Sequence, residues 1–244
     1  MPDANVRSVA QALAASAYGC SGQRCMAGSV AVPVGSIADP LIDELAEFAG
    51  AMKVGPTDTG IDVDMGPMIA PDAVSRVESY LDVASAEGAQ VRLDGRRDFT
   101  GSGFFVGPSI VDRVEPTMRL AKEEVFGPVL SIIRTDDLNS AIEVGNDCEY
   151  GNGASIFTRD GYAAREFKQR FNAGMIGVNV GVPAPMAWFP FTGRNQSFFG
   201  ELHMQGMEGL QFYTRQKVTL TRWMSPGDSH QDPIWATHQE NRKT

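Results

Sequence analysis

A cysteine near the start of the chain has the local surroundings of a nucleophile. Cys25 lies in the stretch SGQRCMAGS, residues 21–29, three positions after Gly22 and directly after Arg24. Glycine permits a tight backbone path, and a neighbouring guanidinium favours the thiolate form of a cysteine. A free cysteine is more often a small buried hydrophobic residue, and that alternative stays open on these residues alone. A Cys–His pair of the papain type could use only His203, and nothing local supports it.

Two later segments also carry residue types suited to a binding site. KEEVFGP, residues 122–128, places Glu123 and Glu124 before Phe126 and a Gly-Pro turn. Its alternative interpretation is a capped loop with the phenylalanine in the core and both acids in solvent. FPFTGRNQSFFG, residues 189–200, concentrates four phenylalanines and two glycines. Such a loop could line an apolar pocket or close one end of the core.

Length and charge restrict the class of protein. With 244 residues, 43% of them hydrophobic, the chain can bury a sizeable core. A net charge of −9 argues against binding to nucleic acid or an anionic membrane, because both require clustered Lys and Arg. We find no apolar run near the roughly 20 residues of a membrane span and no leader, so we expect a soluble protein that acts on small molecules.

Cysteine and histidine usage argues against both disulfides and metal. Cys20, Cys25 and Cys148 make an odd count at sparse spacing, which is typical of a reducing compartment. A zinc site is not expected, because no C-x-x-C pair is present and the three histidines lie far downstream. No G-x-G-x-x-G or P-loop fingerprint occurs either.

The elements that must position these residues alternate between helices and strands. The pattern predicts a leading helix over residues 3–18 with Asp3 as a possible cap, then a strand in MAGSVAVPV, then a helix capped by Asp39 with Pro40 at its first position. A further helix begins at Pro71 and is closed by Gly88. This alternation indicates an α/β fold with a mostly parallel sheet flanked by helices.

The second half of the chain continues the alternation. Strands are predicted in QVRL, FFVGPSIV, VLSIIR, ASIFT and MIGVNV, with helices over about residues 137–146 and 162–171. Residues 181–209 are predicted to form a long ordered loop, and residues 210–223 a strand. Residues 224–244 read as a polar tail.

Together these segments resemble the aldehyde dehydrogenase superfamily. GQRC (22–25) resembles its nucleophile motif, EEVFGP (123–128) its Glu-x-Phe-Gly-Pro motif and PFTG (190–193) its substrate-tunnel loop, in the same order along the chain. MPDAN, YGNGASIFT and GLQFYTRQKVT are similar to the methylmalonate-semialdehyde dehydrogenases, the acylating, coenzyme-A-dependent branch. The resemblance runs from Met1 to about Trp223 and implies an aldehyde-dehydrogenase-like catalytic domain over 1–209 with an oligomerisation strand over 210–223.

The resemblance implies an oxidative decarboxylation of methylmalonate or malonate semialdehyde. Cys25 would attack the aldehyde to give a thiohemiacetal, hydride would leave to NAD, and the resulting thioester would pass its acyl group to coenzyme A. Loss of the β-carboxylate as carbon dioxide would give propionyl-CoA or acetyl-CoA. The backbone N–H of Cys25 is one candidate donor for the oxyanion.

The same resemblance assigns roles to four further residues. Glu124 would hold the nicotinamide ribose hydroxyls, Phe126 would pack beside the nicotinamide, and Phe191 would line the aldehyde tunnel. Arg24 has a separate physical motive, since a substrate with a carboxylate requires a guanidinium near its reacting carbon. No metal role is expected.

The chain departs from the family in length. The family's enzymes are about twice as long, and their N-terminal NAD-binding domain and bridging hairpin have no counterpart in these 244 residues. We therefore expect a truncated gene, an internal start or a deliberately shortened chain, with poor NAD affinity and little turnover alone. The strand in 210–223 would lose the hairpin it pairs with in a neighbouring subunit, so the homo-oligomer of the family, a dimer or tetramer, is doubtful here.

Two other functions stay open from the sequence. One is a non-catalytic remnant that folds and self-associates, and the other is a cysteine hydrolase or acyltransferase without hydride transfer. EEVFGP argues against the latter, because an acyl-transfer site needs no nicotinamide contact. A bacterial cytoplasm and a mitochondrial matrix both fit the chain.

Overall fold

The computed structural model of the chain describes residues 1–60, 62–96, 99, 103–223 and 225–227. Two units can be separated, Met1–Phe212 and Tyr213–Thr244. All of the helices and strands assigned within the described residues belong to the first unit.

Seven α-helices and eight strands are assigned in the described residues. The helices are α1 (Val6–Tyr18), α2 (Ala38–Ala51), α3 (Pro71–Ala86), α4 (Arg119–Lys122), α5 (Leu138–Asn146), α6 (Gly161–Arg170) and α7 (Gly206–Phe212). The strands are β1 (Val30–Ala31), β2 (Gln90–Leu93), β3 (Ser109–Asp112), β4 (Val129–Ile132), β5 (Tyr150–Gly151), β6 (Gly153–Ile156), β7 (Met175–Val178) and β8 (Arg194–Asn195).

The largest sheet has four strands in the order β1-β4-β3-β2. Strand β4 is parallel to both of its neighbours, with Ser131 opposite Val30 in β1 and opposite Val111 in β3. Only β2 runs antiparallel, at the edge. The prediction of a mostly parallel α/β sheet is therefore confirmed.

Helices cover both faces of this sheet. Alternate residues of β3 and β4 point to opposite sides: Ile110 and Leu130 pack with α1 and α2, whereas Val111 and Val129 pack with α3. Every residue of β3 and β4 is buried, as expected for strands covered on both faces. The central sheet is thus a rigid base for the loops at its strand ends.

A smaller parallel pair, β6 and β7, packs with α5 and α6. Ile142, Ile156 and Phe167 form the centre of this third apolar cluster. The helix predicted over about residues 137–146 is present as α5, and Asp137 caps it: its carboxylate accepts a hydrogen bond from the backbone N–H of Ser140 at 2.9 Å.

The starts of the first two helices differ from the predictions. Asn5, not Asp3, caps α1, and the Asp3 carboxylate instead accepts hydrogen bonds from Thr158 and Arg159. Asp39 and Pro40 lie in the first turn of α2, which continues directly from a 3₁₀ turn over Gly35–Ile37. The long-range contact of Asp3 outweighs its local capping preference.

Several strands are shorter than their apolar runs. Only Val30–Ala31 of MAGSVAVPV and Ser109–Asp112 of the FFVGPSIV region are strands. Pro33 and Pro108 flank these strands, and proline cannot donate to the ladder. In both places a proline therefore limits the regular pairing.

The end of the folded chain also differs in detail. The predicted loop 181–209 contains β8 and the first part of α7, and the predicted boundary at residue 209 falls inside that helix. Residues 214–223 contain neither helix nor strand. A strand requires a second strand for hydrogen bonding, and the expected one belongs to a neighbouring subunit, so the oligomerisation strand stays a prediction. Most of the predicted polar tail, 224 and 228–244, lies outside the described residues.

Candidate active site

A strained turn delivers Cys25 from the end of α1. Cys20, Ser21 and Gly22 follow the helix with φ angles of 54°, 56° and 68°. Left-handed conformations cost free energy for residues with a side chain, and such outliers concentrate at functional sites. The turn reverses the chain, and Cys25 lies exposed beyond it. The interpretation of Cys25 as a buried hydrophobic residue is therefore wrong.

Side chains on either side of Gly22 hold the turn to the DMGPMI segment, residues 64–69. The Ser21 hydroxyl donates to the carbonyl of Gly66 at 2.8 Å, and the Gln23 side-chain oxygen accepts from the backbone N–H of Ile69 at 2.9 Å. Ser21 itself is buried. These contacts stabilise a backbone path that local sequence preference alone would not.

The loop over residues 19–25, which carries Cys25 and which we call the nucleophile loop, packs backbone to backbone against the EEVFGP segment. A Cβ atom on Gly22 would lie 2.2 Å from the carbonyl oxygen of Gly127 and 2.8 Å from the nitrogen of Pro128. Carbon atoms do not approach backbone so closely, so only glycine fits position 22. The two motifs that stand about a hundred residues apart in the sequence form one structural unit here.

Within EEVFGP, Phe126 is directed away from the core. Its φ of 52° is again left-handed, its side chain is 36% exposed, and its carbonyl accepts from Arg76 Nη2 at 3.3 Å. Glu124 is exposed, while Val125 between them is buried. The alternative that placed Phe126 in the core is wrong.

Glu123 anchors the segment just before these residues. Its carboxylate accepts from the Tyr80 hydroxyl at 2.6 Å and from two nitrogens of Arg119 at 2.7 and 2.9 Å. The Arg119 and Tyr80 hydrogen bonds lower the pKa of Glu123 to about 2. Glu123 is therefore ionised at neutral pH and holds the adjacent Glu124 in place.

One cavity of about 730 Å³ brings most of the predicted site residues together. Its lining includes Cys25, Arg24, Glu124 and Phe126. Phe191 is not among the described residues that line it; its backbone N–H donates to the carbonyl of Met204 at 2.8 Å in the loop beyond. The structure therefore groups Cys25, the predicted nucleophile, with the predicted cofactor residues.

Arg24 has a structural role that the sequence did not reveal. Its Nη2 donates to the carbonyls of Ala15 and Ser16 at 2.7 and 3.1 Å, in the last turn of α1. Cations stabilise the C-terminal end of a helix. Its Nε is buried without a hydrogen-bond partner in the described part of the chain. The predicted contact between Arg24 and a substrate carboxylate stays a prediction.

Sequence reasoning missed Asn152. This residue precedes β6, lines the same cavity, and donates from Nδ2 to the carbonyl of Cys25 at 3.1 Å. The signal was present in YGNGASIFT, where a polar side chain enters a strand beside two glycines, but nothing in the sequence indicates its partner.

His203 belongs to a separate cluster. Its Nδ1 and backbone nitrogen lie 2.7 and 2.8 Å from Glu208 Oε2, and these contacts lower the pKa of Glu208. Its ring stacks on Phe198 with 4.0 Å between centroids. Within the described residues, no contact joins His203 to Cys25, so a papain-like pair has no support.

Neither a membrane-spanning helix nor a metal-binding group of three or more His, Cys, Asp and Glu is present among the described residues.

Comparison with known proteins assigns the family. The profile of the "Aldehyde dehydrogenase family" matches residues 1–219. The chain belongs to the aldehyde dehydrogenase family. The predicted membership of the aldehyde dehydrogenase superfamily and the predicted α/β fold class are therefore confirmed.

Individual aldehyde dehydrogenases support a closer relationship. The chain is 46% identical over 227 residues to malonate-semialdehyde dehydrogenase 1 of Geobacillus thermodenitrificans and 47% identical to malonate-semialdehyde dehydrogenase of Pseudomonas aeruginosa. Each alignment covers 91% of this chain and 46% of the relative. The chain thus spans about half the length of the curated relatives it matches.

Solved aldehyde dehydrogenases show the same fold. A crystal structure assigned as a methylmalonate-semialdehyde dehydrogenase from Sinorhizobium meliloti, complexed with NAD, aligns with a TM-score of 0.89 at 43% identity. The methylmalonate-semialdehyde dehydrogenase of Oceanimonas doudoroffii aligns with a TM-score of 0.88 at 42% identity. Each alignment covers 93% of this chain and 47% of the solved chain.

Proposed function

We propose that this chain carries the cysteine-bearing catalytic portion of a malonate- or methylmalonate-semialdehyde dehydrogenase. The observation that supports this most is the shared cavity: Cys25 lies in it with Glu124 and Phe126, and their two loops pack together at Gly22 and Gly127. A pure acyl-transfer site needs no nicotinamide contact. The nearness of the nicotinamide motif favours oxidation of an aldehyde.

The residues at the cavity fit NAD. Phe126 offers a partly exposed ring, and Glu124 an exposed carboxylate, on a segment fixed by Glu123 and by the buried Val125. Phe126 would pack against the nicotinamide, and Glu124 would accept hydrogen bonds from ribose hydroxyls. When bound there, NAD would be the oxidant: it would accept the hydride that the substrate carbon loses.

Cys25 performs the covalent chemistry in this proposal. Its thiolate attacks the aldehyde carbon, a C–S bond forms, and the carbonyl electron pair moves to oxygen. The backbone N–H of Cys25 stabilises that oxyanion. The carbonyl of Arg24 accepts from the N–H of Ala27 at 3.1 Å, which fixes the peptide plane that carries this N–H. After oxidation, the acyl group is held on Cys25 as a thioester.

Coenzyme A is the proposed acceptor of the acyl group. Its thiol displaces Cys25 from the thioester; the substrate carboxylate leaves as carbon dioxide, and the carbon that bore it takes up a proton, which gives acetyl-CoA or propionyl-CoA. Arg24 would pair with that carboxylate through Nη1, since Nη2 binds the end of α1 and Nε is buried, and Phe191 would line the aldehyde path. Arg24→Leu is expected to remove the preference for malonate semialdehyde over propionaldehyde; an unchanged preference would exclude the role.

The 244-residue chain alone is expected to turn over little. It spans about half of its relatives, and the cofactor residues at the cavity form only part of a binding surface. We also propose that the complete enzyme is a homo-oligomer and that it acts in the cytoplasm of a bacterium.

A chimera tests the function directly. The chain would be joined to the remaining part of the Geobacillus thermodenitrificans relative, and NADH and acyl-CoA would be measured with malonate semialdehyde, NAD and coenzyme A. Cys25→Ser should abolish both products. Cys148→Ser is the matched control, because Cys148 lines the same cavity, and it should retain them.

Other outcomes would favour other functions. Acyl-CoA hydrolysis or transfer without NADH would indicate a cysteine acyltransferase or hydrolase. A folded chimera that binds neither NAD nor substrate would indicate a remnant that only self-associates. Robust NADH production by the 244-residue chain alone would refute the expected dependence on the other portion.

A further inference from the structure

Asn152 connects the nucleophile loop to the β6–β7 sheet. Its Nδ2 donates to the carbonyl of Cys25 at 3.1 Å, and its own carbonyl accepts from the backbone N–H of Met175 at 3.1 Å. The asparagine backbone is therefore held by the strand ladder while its side chain reaches the loop. Cys25 and Asn152 line the same cavity.

This contact completes the restraint of the backbone around the thiol. The carbonyl before Cys25, that of Arg24, accepts from the N–H of Ala27 at 3.1 Å, and the carbonyl of Cys25 accepts from Asn152. Because each peptide unit is planar, fixing these two carbonyls fixes both backbone dihedrals of the residue between them. Without Asn152, no hydrogen bond from the described residues would hold the peptide unit after the thiol.

The opposite side of the Asn152 amide faces the FPFTG segment. A Cβ atom on Gly193 would lie 3.4 Å from Asn152 Oδ1, so this glycine lets the loop approach the amide. The loop is itself fixed, since the Thr192 hydroxyl donates to the carbonyl of Gly174 at 2.6 Å. The amide thus lies between the nucleophile loop and the proposed aldehyde-lining loop.

We propose that Asn152 is a positioning residue for the nucleophile. The side-chain N–H of Asn152 offsets the negative end of the Cys25 carbonyl dipole, which lies beside the thiolate of the same residue. The same hydrogen bond fixes the direction in which the Cys25 side chain leaves the backbone. This role rests on the proposed function of Cys25, but it predicts an effect on thiol reactivity that needs no turnover.

The chain offers a matched control. Asn195 Nδ2 donates to the carbonyl of Cys148 at 3.3 Å, which is the same type of contact at a second cysteine. Asparagine-to-aspartate variants at 152 and 195 remove the donor and place a carboxylate beside one cysteine or the other. Alkylation of the full 244-residue chain by iodoacetamide at pH 7, with each modified peptide quantified by mass spectrometry, reports both thiols in one molecule.

Asn152→Asp should slow the alkylation of Cys25 about fivefold, since a carboxylate against the Cys25 carbonyl adds a like charge near the thiol and disfavours its thiolate form. Cys148 should stay within twofold of the unmodified chain. Asn195→Asp should show the reverse pattern. Asn152→Ala, which adds no charge, should slow Cys25 about threefold through loss of the donor alone.

Two results would overturn the proposal: an unchanged Cys25 rate in both Asn152 variants, or equal slowing of Cys25 and Cys148, which would indicate general loss of structure. The proposed function fails separately. In the unmodified chain, labelling of Cys25 no faster than Cys20 or Cys148 would count against an activated nucleophile. The change in the Asn152 variants relative to that baseline would still decide the positioning role.

Discussion

Gly22→Ala should separate the two loops that form the candidate site. The added methyl group would lie 2.2 Å from the oxygen and 2.4 Å from the carbon of the Gly127 carbonyl. These are backbone atoms two residues before β4, a fully buried strand, so they cannot rotate away as a flexible side chain could. The conformation adds a second cost, because φ at Gly22 is 68°.

The magnitude follows from these two costs. A left-handed conformation costs an L-residue roughly 1–2 kcal/mol, and overpacking of a tight interior contact costs typically about 1–3 kcal/mol. The sum, about 2–5 kcal/mol, is a large part of the roughly 5–15 kcal/mol that stabilises an ordinary domain. For a folded unit of this size we expect Tm to fall by roughly 5–20 °C.

Gly60→Ala separates the two costs. Gly60 has a φ of 71°, close to that of Gly22, but an added Cβ would meet no atom of the described residues within 4 Å. It should therefore show the conformational cost of roughly 1–2 kcal/mol alone. Thermal and urea unfolding would measure both variants, and iodoacetamide labelling would follow Cys25. If Gly22→Ala is no more destabilised than Gly60→Ala, the inferred contact between the loops is wrong.

Three further substitutions test contacts around the site and beneath it. Tyr18→Phe removes a buried hydrogen bond to a backbone carbonyl and should cost about 1–3 kcal/mol in urea unfolding, whereas exposed Tyr162→Phe should change less than about 0.5 kcal/mol. Burial raises the pKa of Asp112, but hydrogen bonds led by that from Arg134 outweigh it and lower the pKa below 3.8. The ionised Asp112 carboxylate therefore stabilises the fold fully well above pH 4, and this contribution is lost as the pH falls below about 4. Asp112→Ala should lower the free energy of unfolding by about 3 kcal/mol at pH 7 and reduce its dependence on acid pH. Arg24→Leu removes the contacts to the last turn of α1 and should lower the free energy of unfolding by about 1–2 kcal/mol, which differential calorimetry can measure.

Local signals predicted much of the fold. Pro71 begins α3 and α5 spans nearly all of the predicted range 137–146, because such signals act on their own backbone within a few residues. Asp3 shows the limit of such reasoning: its carboxylate binds Thr158 and Arg159, a partner segment more than 150 residues away. The short strand β1 illustrates the same limit, since its length depends on pairing with β4.

The candidate site was predictable in its residue types and less so in its contacts. Motif order indicated that Cys25, Glu124 and Phe126 belong together, and the cavity contains all three. The role of Arg24 at the end of α1 was not visible, because a neighbouring thiol and a helix terminus both suit a guanidinium. The donor from Asn152 was hidden by the 127 residues that separate it from Cys25.

Exposure does not by itself distinguish Cys25 as the nucleophile, because Cys20 is exposed as well. The surroundings of the two thiols do distinguish them. Cys20 occupies the strained turn with a φ of 54°, and its carbonyl accepts from the N–H of Gln23 at 2.9 Å, so a held backbone is common to both cysteines. Cys25 shares a cavity with Phe126 and Glu124. A reactive thiol needs a neighbouring site for its substrate; among the described residues, Cys25 lines this cavity and Cys20 does not, which favours Cys25 as the candidate nucleophile.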